Sequence, residues 1–523
     1  MNLHDLFAVP LRRAPQAPAL LLSEEPGTIS YLELFAAAGR LAAELRSRGL
    51  RRGDRVALLI GNRPELAVAY LAALALGVPA VPINLAYRAR EIAHILRDSE
   101  PRLLLTERER LEPAREACEE LASKGPEVLT VEDLVRWGGE AGEPDRTREQ
   151  DEPPVAGSDP ALLLYTSGTT GASKGAVLSH DNLLATVTGL LAAWGWRADD
   201  VLLLALPLFH THGLVVGLTC ALAAGAAVRL HPRFDAAAVL AELESGAASL
   251  FFGVPTMYVR LVAALLEGGE RTPAPDLSRL RLCCSGSAAL DPATFDAFRE
   301  ATGHAILERY GMTETGMLLS NLYAGERRPG SVGVPLPGVA VRLVDPAGAD
   351  VPAGEQGELL VAGSNVFSGY WNAPEKTAES FLPDAAGRLW FRTGDLGRQD
   401  PATGAFSLLG RRHELIVSGG FNVYPREIEE VLAGHPGVRE AAVVGRPHPE
   451  WGEVPVAFVV LADGAPAALA AAIAGGLQAF CRERLAGFKV PQAFHPVAAL
   501  PRNALGKVQK HLLDQAQQHL LRE

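Results

Sequence analysis

The stretch from Leu66 to Ile83 is almost wholly apolar, yet Gly77, Pro79 and Pro82 divide it. It is too short and too broken for the ~20 residues of a membrane-spanning helix. A buried helix that stops at a glycine and returns as a buried strand is what such a run permits. Leu214 to Val228 repeats the pattern, again broken by glycines. Elements apolar on every side belong inside sheets covered by helices, so the two runs predict parallel α/β sheets. The neighbouring segments agree. Tyr31 to Arg48 has helical periodicity, with Arg46 and Arg48 near its end and Gly49 as its cap. Arg55 to Ile60 is a short apolar strand, Asn62-Arg-Pro-Glu opens a helix with Pro64 in its first turn, and Val78 to Ile83 is the next strand.

This β-α-β rhythm fills the first 150 residues of the 523-residue chain, about three or four domain-sized units in all. Gly138 to Pro160, rich in Glu, Asp, Pro and Gly, is an exposed connection, and the rhythm resumes from Ala161 to about Leu307. From Gly330 to Leu409 the pattern changes to short alternating strands, such as Val339 to Val344 and Gly357 to Val361, separated by turn residues. After Gly410-Arg-Arg-His the chain restarts with β and α elements and closes on a helix from Lys507 to Leu521. The predicted class is therefore α/β. A large N-terminal domain, residues 1–410, holds two parallel-type sheets and a β-rich subdomain; a small mobile α+β C-terminal domain, residues 411–523, follows a hinge at 411–413.

Charge narrows the function. Lys+Arg total 49 against 61 Asp+Glu, a net −12, which argues against a protein that holds nucleic acid through a basic field. Cys118, Cys220, Cys283, Cys284 and Cys481 form no C-x-x-C, and reduced buried thiols fit a cytosolic compartment. The start, with Asp5 and two early prolines, does not read as a targeting peptide, and no segment predicts a membrane partner.

The strongest local signal is Leu163-Leu-Tyr-Thr-Ser-Gly-Thr-Thr-Gly-Ala-Ser-Lys174-Gly. An apolar strand runs into small and hydroxylated residues, then a lysine. Backbone N–H groups and hydroxyls in such a loop close round a polyphosphate, and the lysine adds positive charge. Gly168, Gly171 and Lys174 do not satisfy G-x-x-x-x-G-K-[ST], because Ser173 precedes the lysine and Gly175 follows it, so an ordinary P-loop ATPase is disfavoured.

At this string the sequence resembles the adenylate-forming superfamily of acyl-CoA synthetases, luciferases and peptide-synthetase adenylation domains. Further strings follow in the family's order: Tyr310-Gly-Met-Thr-Glu314, Arg392-Thr-Gly-Asp395, Gly410-Arg411 with Ser418-Gly-Gly-Phe-Asn-Val-Tyr-Pro, and Pro501-Arg-Asn-Ala-Leu-Gly-Lys507. The resemblance implies ATP, Mg²⁺ and CoA. It assigns Thr166, Ser167, Gly168, Thr169, Thr170, Gly171 and Lys174 to the phosphates, Thr313 to the α-phosphate and Glu314 to Mg²⁺, which favours hard oxygen donors. Tyr310 and the Ser287-Ala288-Ala289 turn fall to the adenine, and Asp395 to the ribose with Arg411 nearby. The resemblance further implies that Lys507 bridges carboxylate and phosphate in the first step, and that Ser418, Gly419 and Gly420 enter for the thioester step when the terminal domain turns. His413 stands where the family usually has Asp or Lys, which leaves hinge behaviour open.

Three strings bear on the acid. Val254-Pro-Thr-Met-Tyr-Val-Arg260 reads as a loop entering a helix, with Thr256 its N-cap. Cys284-Ser-Gly-Ser287 lies where the family lines its acyl site, and Arg309 directly precedes Tyr310. An unpaired guanidinium in a greasy tunnel costs several kcal/mol (order of magnitude), so Arg260, Arg309 and Ser287 suit a second carboxylate on a short acid. Met312 completes this set, and His210 resembles the family's gate at the acyl site. Together the strings resemble malonyl-CoA synthetases. The implied activity is an ATP-dependent acid–CoA ligase for malonate or methylmalonate, acting as monomer or homodimer, and Arg260→Ala is expected to abolish malonate activation.

Other classes fit less well. His210-Thr-His212 has a metal-ligand spacing, but position 214 is Leu rather than a carboxylate, so a metallohydrolase is disfavoured. A synthetase for another short acid, or an adenylation enzyme that loads a separate carrier protein, shares the same motifs. A non-catalytic binding protein would not need Thr313, Glu314, Asp395 and Lys507 together.

Overall fold

The computed structural model describes residues 2–23, 27–121, 125–137, 154–166, 173–267, 276–418, 421–449, 451–462, 470–503 and 506–513. Among them the strands group into sheets of 14, 7 and 5. The seven-stranded sheet carries the first β-α-β units. Val56–Leu59 lies between Ala80–Pro82 and Leu103–Thr106, all parallel. The helix Pro64–Leu76 beside it is buried along almost its whole length and ends at Gly77 in the left-handed region. That burial is what its unbroken apolar sequence required. Tyr31–Ser47 is a helix opened by a Ser30–Glu33 capping box.

The 14-stranded sheet is parallel through Pro18–Leu22, Ala227–Leu230, Val201–Leu204, Leu250–Gly253, Leu282–Ser285 and Leu307–Met312. There it turns antiparallel. Gly316–Ser320 pairs back on Leu307–Met312, and Ser331–Pro335, Phe406–Arg411, Leu389–Gln399, Gln356–Ala362 and Ala340–Val344 extend the same sheet. The β-rich stretch is thus continuous with the second α/β sheet rather than a sheet of its own, because the hairpin at Thr313–Thr315 joins them edge to edge.

The third sheet is built from residues after 415: Ile416–Ser418, Phe421–Val423, Val438–His448, Gly452–Leu461 and Ala493–Pro496. Its core is separate, formed by Ile416, Ile428, Leu432, Val443, Val459, Leu477 and neighbours. No described helix is long and apolar enough to cross a membrane.

Two local expectations change. The helix that holds Arg260 spans Pro255–Glu267, so Thr256 lies inside its first turn; proline, with φ already helical, starts the helix one residue earlier. Lys507 is on a turn rather than a helix. Gly506 at φ +76°, Asn503 Oδ1 accepting from Lys507 N at 2.9 Å, and the Arg502–Val508 bridge hold that turn, and the described helical residues begin at Lys510.

Candidate active site

All three sheets wall one cavity of about 1970 Å³. Thr166 and Lys174 reach its edge as register partners in an antiparallel hairpin, Pro160–Thr166 with Lys174–Ser179. Lys174 opens a second strand and not a helix, which separates this segment from the strand–loop–helix of a Walker loop. Ser167, Gly168, Thr169, Thr170 and Gly171 lie outside the described residues, as do Gly419 and Gly420.

Thr313 and Glu314 occupy the tight turn between Leu307–Met312 and Gly316–Ser320, and both line the cavity. The Tyr370 hydroxyl donates to Glu314 Oε1 at 3.0 Å, and burial pushes the Glu314 carboxyl above its ordinary value. Asp395 and Arg411 are cross-strand partners, so sheet register sets their 2.9 Å ion pair. The Tyr310 hydroxyl also donates to Asp395, and Asp395 N donates to Thr393 Oγ1 at 3.0 Å. Arg411 and Lys507 stand in the cavity wall beside them. Desolvation first and the Arg411 charge second pull the Lys507 ammonium below its usual value; Asp395 and Glu414 oppose them.

One group of lining residues differs in character: His210, Thr211, His212, Ser287, Arg309 and Met312. Arg309 is only 5% exposed and has no carboxylate partner among the described residues; its Nε and Nη2 lack any hydrogen bond. Its side-chain hydrogen-bond partner is the Cys284 thiol, which burial pushes up to about 11 and so keeps neutral. Gly286 makes room for the guanidinium, since a Cβ there would come within 2.3 Å of Arg309 Cζ. His210 is pushed down to about 4, by burial and then by the Arg309 charge, and His212 well below its ordinary value for the same reasons. Both imidazoles are therefore neutral near pH 7. Ser287, held at φ +70°, sets its Oγ 3.3 Å from His212 Nδ1. His212 Nε2 and Thr211 Oγ1 are buried without a partner among the described residues. A deeply buried cation among unpaired donors and neutral groups is a site built for an anion.

The AMP-binding enzyme profile matches residues 7–371, and the AMP-binding enzyme C-terminal domain profile matches 427–507. The chain belongs to the AMP-binding enzyme family. A feruloyl-CoA synthase of Amycolatopsis sp is 39% identical over 519 residues, 98% of each chain. The mitochondrial malonate–CoA ligase ACSF3 of Mus musculus is 36% identical over 529 residues, covering 94% of this chain and 87% of that one. ATP-bound MatB from Rhodopseudomonas palustris matches with a TM-score of 0.86 at 38% identity, covering 99% of both chains. At the level these relatives share, the chain is an adenylate-forming acid–CoA ligase.

Within this member of the family the sequence-derived residues do not all converge. Arg260 is exposed, has no hydrogen bond or ion pair among the described residues and lies outside the cavity wall. Its helix buries Tyr258, Leu261 and Leu265, which turns position 260 outward. Ala288, Ala289, Asp395 and the buried Ser418 also lie outside the wall, Asp395 directly behind Arg411, and Tyr310 stands behind the wall on Asp395. The sequence reading missed Thr211 and Tyr370, and weighed His212 only as a metal ligand. The signal for the first and third was three polar residues, His210-Thr-His212, set in an apolar run. Tyr370 had no motif to betray it. Glu314 gives one hard oxygen donor, and no group of three metal-ligating side chains occurs among the described residues. That set fits Mg²⁺ carried in on nucleotide phosphates, where protein supplies one or two carboxylates.

Proposed function

We propose that the enzyme joins a small dicarboxylate to CoA, with malonate the foremost substrate and methylmalonate a close second. The observation that carries this reading is Arg309, buried in the cavity with an unmet charge. Leaving a guanidinium so placed costs several kcal/mol (order of magnitude), which a second carboxylate on the acid would offset. His212 Nε2 and the Thr211 hydroxyl are free to complete its hydrogen bonds. A fatty or unsubstituted aromatic tail would leave all of these groups dry and unpaired.

With the distal carboxylate on Arg309, the proximal one faces the nucleotide. A carboxylate oxygen attacks the α-phosphorus of ATP and diphosphate leaves, giving an acyl adenylate. Lys507 and Thr313 stabilise the charge that builds on the phosphoryl oxygens, and Asp395, oriented by Arg411, receives the ribose hydroxyls. Mg²⁺, held by Glu314 when bound, supplies further charge neutralisation. In the second step the CoA sulfur attacks the acyl carbon and AMP leaves.

The step change needs a pivot, and the ion pairs support one at His413. On its N-terminal side Arg411 is tied to Asp395 and Arg412 to Glu358; on its C-terminal side Glu414 is tied to Lys510, which also holds Glu429. His413 lies between the two anchored stretches, so the chain after it turns as a unit relative to the chain before it.

A panel of acetate, malonate, methylmalonate, succinate, ferulate and octanoate, with ATP and either CoA or a carrier protein, tests the reading. Thioester formation from malonate and CoA at least ~100-fold faster than from acetate or octanoate is expected. Preference for ferulate or octanoate would overturn it.

A further inference from the structure

Strand Leu307–Met312 presents successive side chains to opposite faces, so Arg309 points into the acyl cavity and Glu308 points away from it. Glu308 is 5% exposed, and no cation approaches it within ion-pair distance among the described residues. Its Oε1 accepts the backbone N–H of Gly330 at 2.9 Å. Above Gly330 lies Arg426, on the helix Pro425–Ala433 of the C-terminal unit; its Nη2 is 3.7 Å from the position a Gly330 Cβ would take. Arg426 is held there by Glu430, whose Oε1 accepts from its Nε at 2.7 Å. Burial pushes the Glu308 carboxyl up to about 7, while the N–H groups of Gly330 and Leu290 and the Arg426 charge pull it down and Glu430 pushes it up. The C-terminal unit makes a second contact where the lysine turn rests on the acyl-side helix. A Cβ on Gly506 would come within 2.8 Å of Thr256 Oγ1.

We propose that Glu308 and Arg426 are a positioning pair that seats the C-terminal unit with Lys507 in the nucleotide cavity, so that the strand carrying the acid-reading arginine also reports domain closure. The attraction exists only while the unit is closed on this face, because Arg426 travels with the unit and Glu308 does not. It therefore favours the arrangement of the adenylation step and has no part in the thioester step. This inference rests on the two-step reading above.

The test separates the two half-reactions. Acid-dependent exchange of diphosphate into ATP reads adenylation; release of CoA from the acyl-CoA product plus AMP reads the thioester step in reverse. Arg426→Ala is expected to slow exchange about tenfold and to leave CoA release within about twofold. Arg426→Lys, which keeps the charge, restores exchange, and Glu308→Gln reproduces the loss. Arg426 is on a helix surface, so its substitution leaves the core intact. Equal loss in both half-reactions, no loss in either, or failure of the lysine to rescue would overturn the pair. The assay uses whichever acid the wild-type enzyme accepts in the panel, so an error in the malonate reading shows in the panel and not in this split.

Discussion

At the scale of single residues, the electrostatics around Arg309 yields a pH signature. His210 protonates near pH 6.5 in an unfolded chain but near pH 4 in the folded one. The unfolded state thus binds the extra proton between those values, and stability falls as pH falls through the interval. Urea unfolding at pH 7 and pH 5 is expected to show a loss of about 2 kcal/mol attributable to His210, and His210→Gln is expected to flatten that slope. A second prediction concerns Arg260. It faces solvent, so Arg260→Ala should change malonate kcat/KM by less than about threefold, as surface substitutions do. The outward turn of Arg260 was written in the spacing of Tyr258, Leu261 and Leu265, which marks the buried stripe of its helix. The V-P-T-x-Y-x-R string and the helical periodicity point different ways for position 260, and the exposed Arg260 follows the periodicity. Arg309 was easier to locate, because the next residue begins a nucleotide motif and strand geometry fixes its side.

At the scale of elements, most boundaries followed from caps and breakers. Gly49 and Gly77 both close helices in the left-handed region, and Pro64 begins one. What could not be read was pairing. Nothing local in Ser331–Pro335 says that it joins a sheet begun at Pro18, since strand partners are chosen by distant surfaces. The same limit hid the hairpin at Lys174, where a lysine after a glycine-rich loop could equally have opened a helix. The turn after Leu282–Ser285 gives a prediction at this scale. Because Gly286 lies against the Arg309 guanidinium, Gly286→Ala should displace that side chain and lower malonate kcat/KM by ~10²-fold with little change in the affinity for ATP measured by calorimetry. Equal losses in both would mean that the turn serves general stability.

At the scale of the whole molecule, all three sheets meet at one cavity, and the turn at Gly506 brings Lys507 to its wall, where we propose that it serves adenylation. Lys507→Ala is expected to cut diphosphate exchange by ~10²-fold or more while leaving CoA release from malonyl-CoA and AMP nearly unchanged, because the proposed role of the lysine is confined to the first step. The return of β and α elements after Gly410 is what places the proposed boundary at 411–413; the ion pairs on either side of His413 were not legible, because Glu358, Asp395 and Lys510 come from remote parts of the chain.

Arg309 is proposed to recognise a second negative charge on the acid. Malonate and its monoamide have nearly the same shape and differ by that charge. The decisive measurement is the ratio of kcat/KM for malonate over malonamate, in the wild-type enzyme and in Arg309→Met. A ratio of at least ~10² that collapses to near 1 in the variant, with the variant's thermal stability equal to or above wild type, is the expected result. A ratio near 1 in the wild-type enzyme, or a high ratio that survives the loss of Arg309, would contradict it.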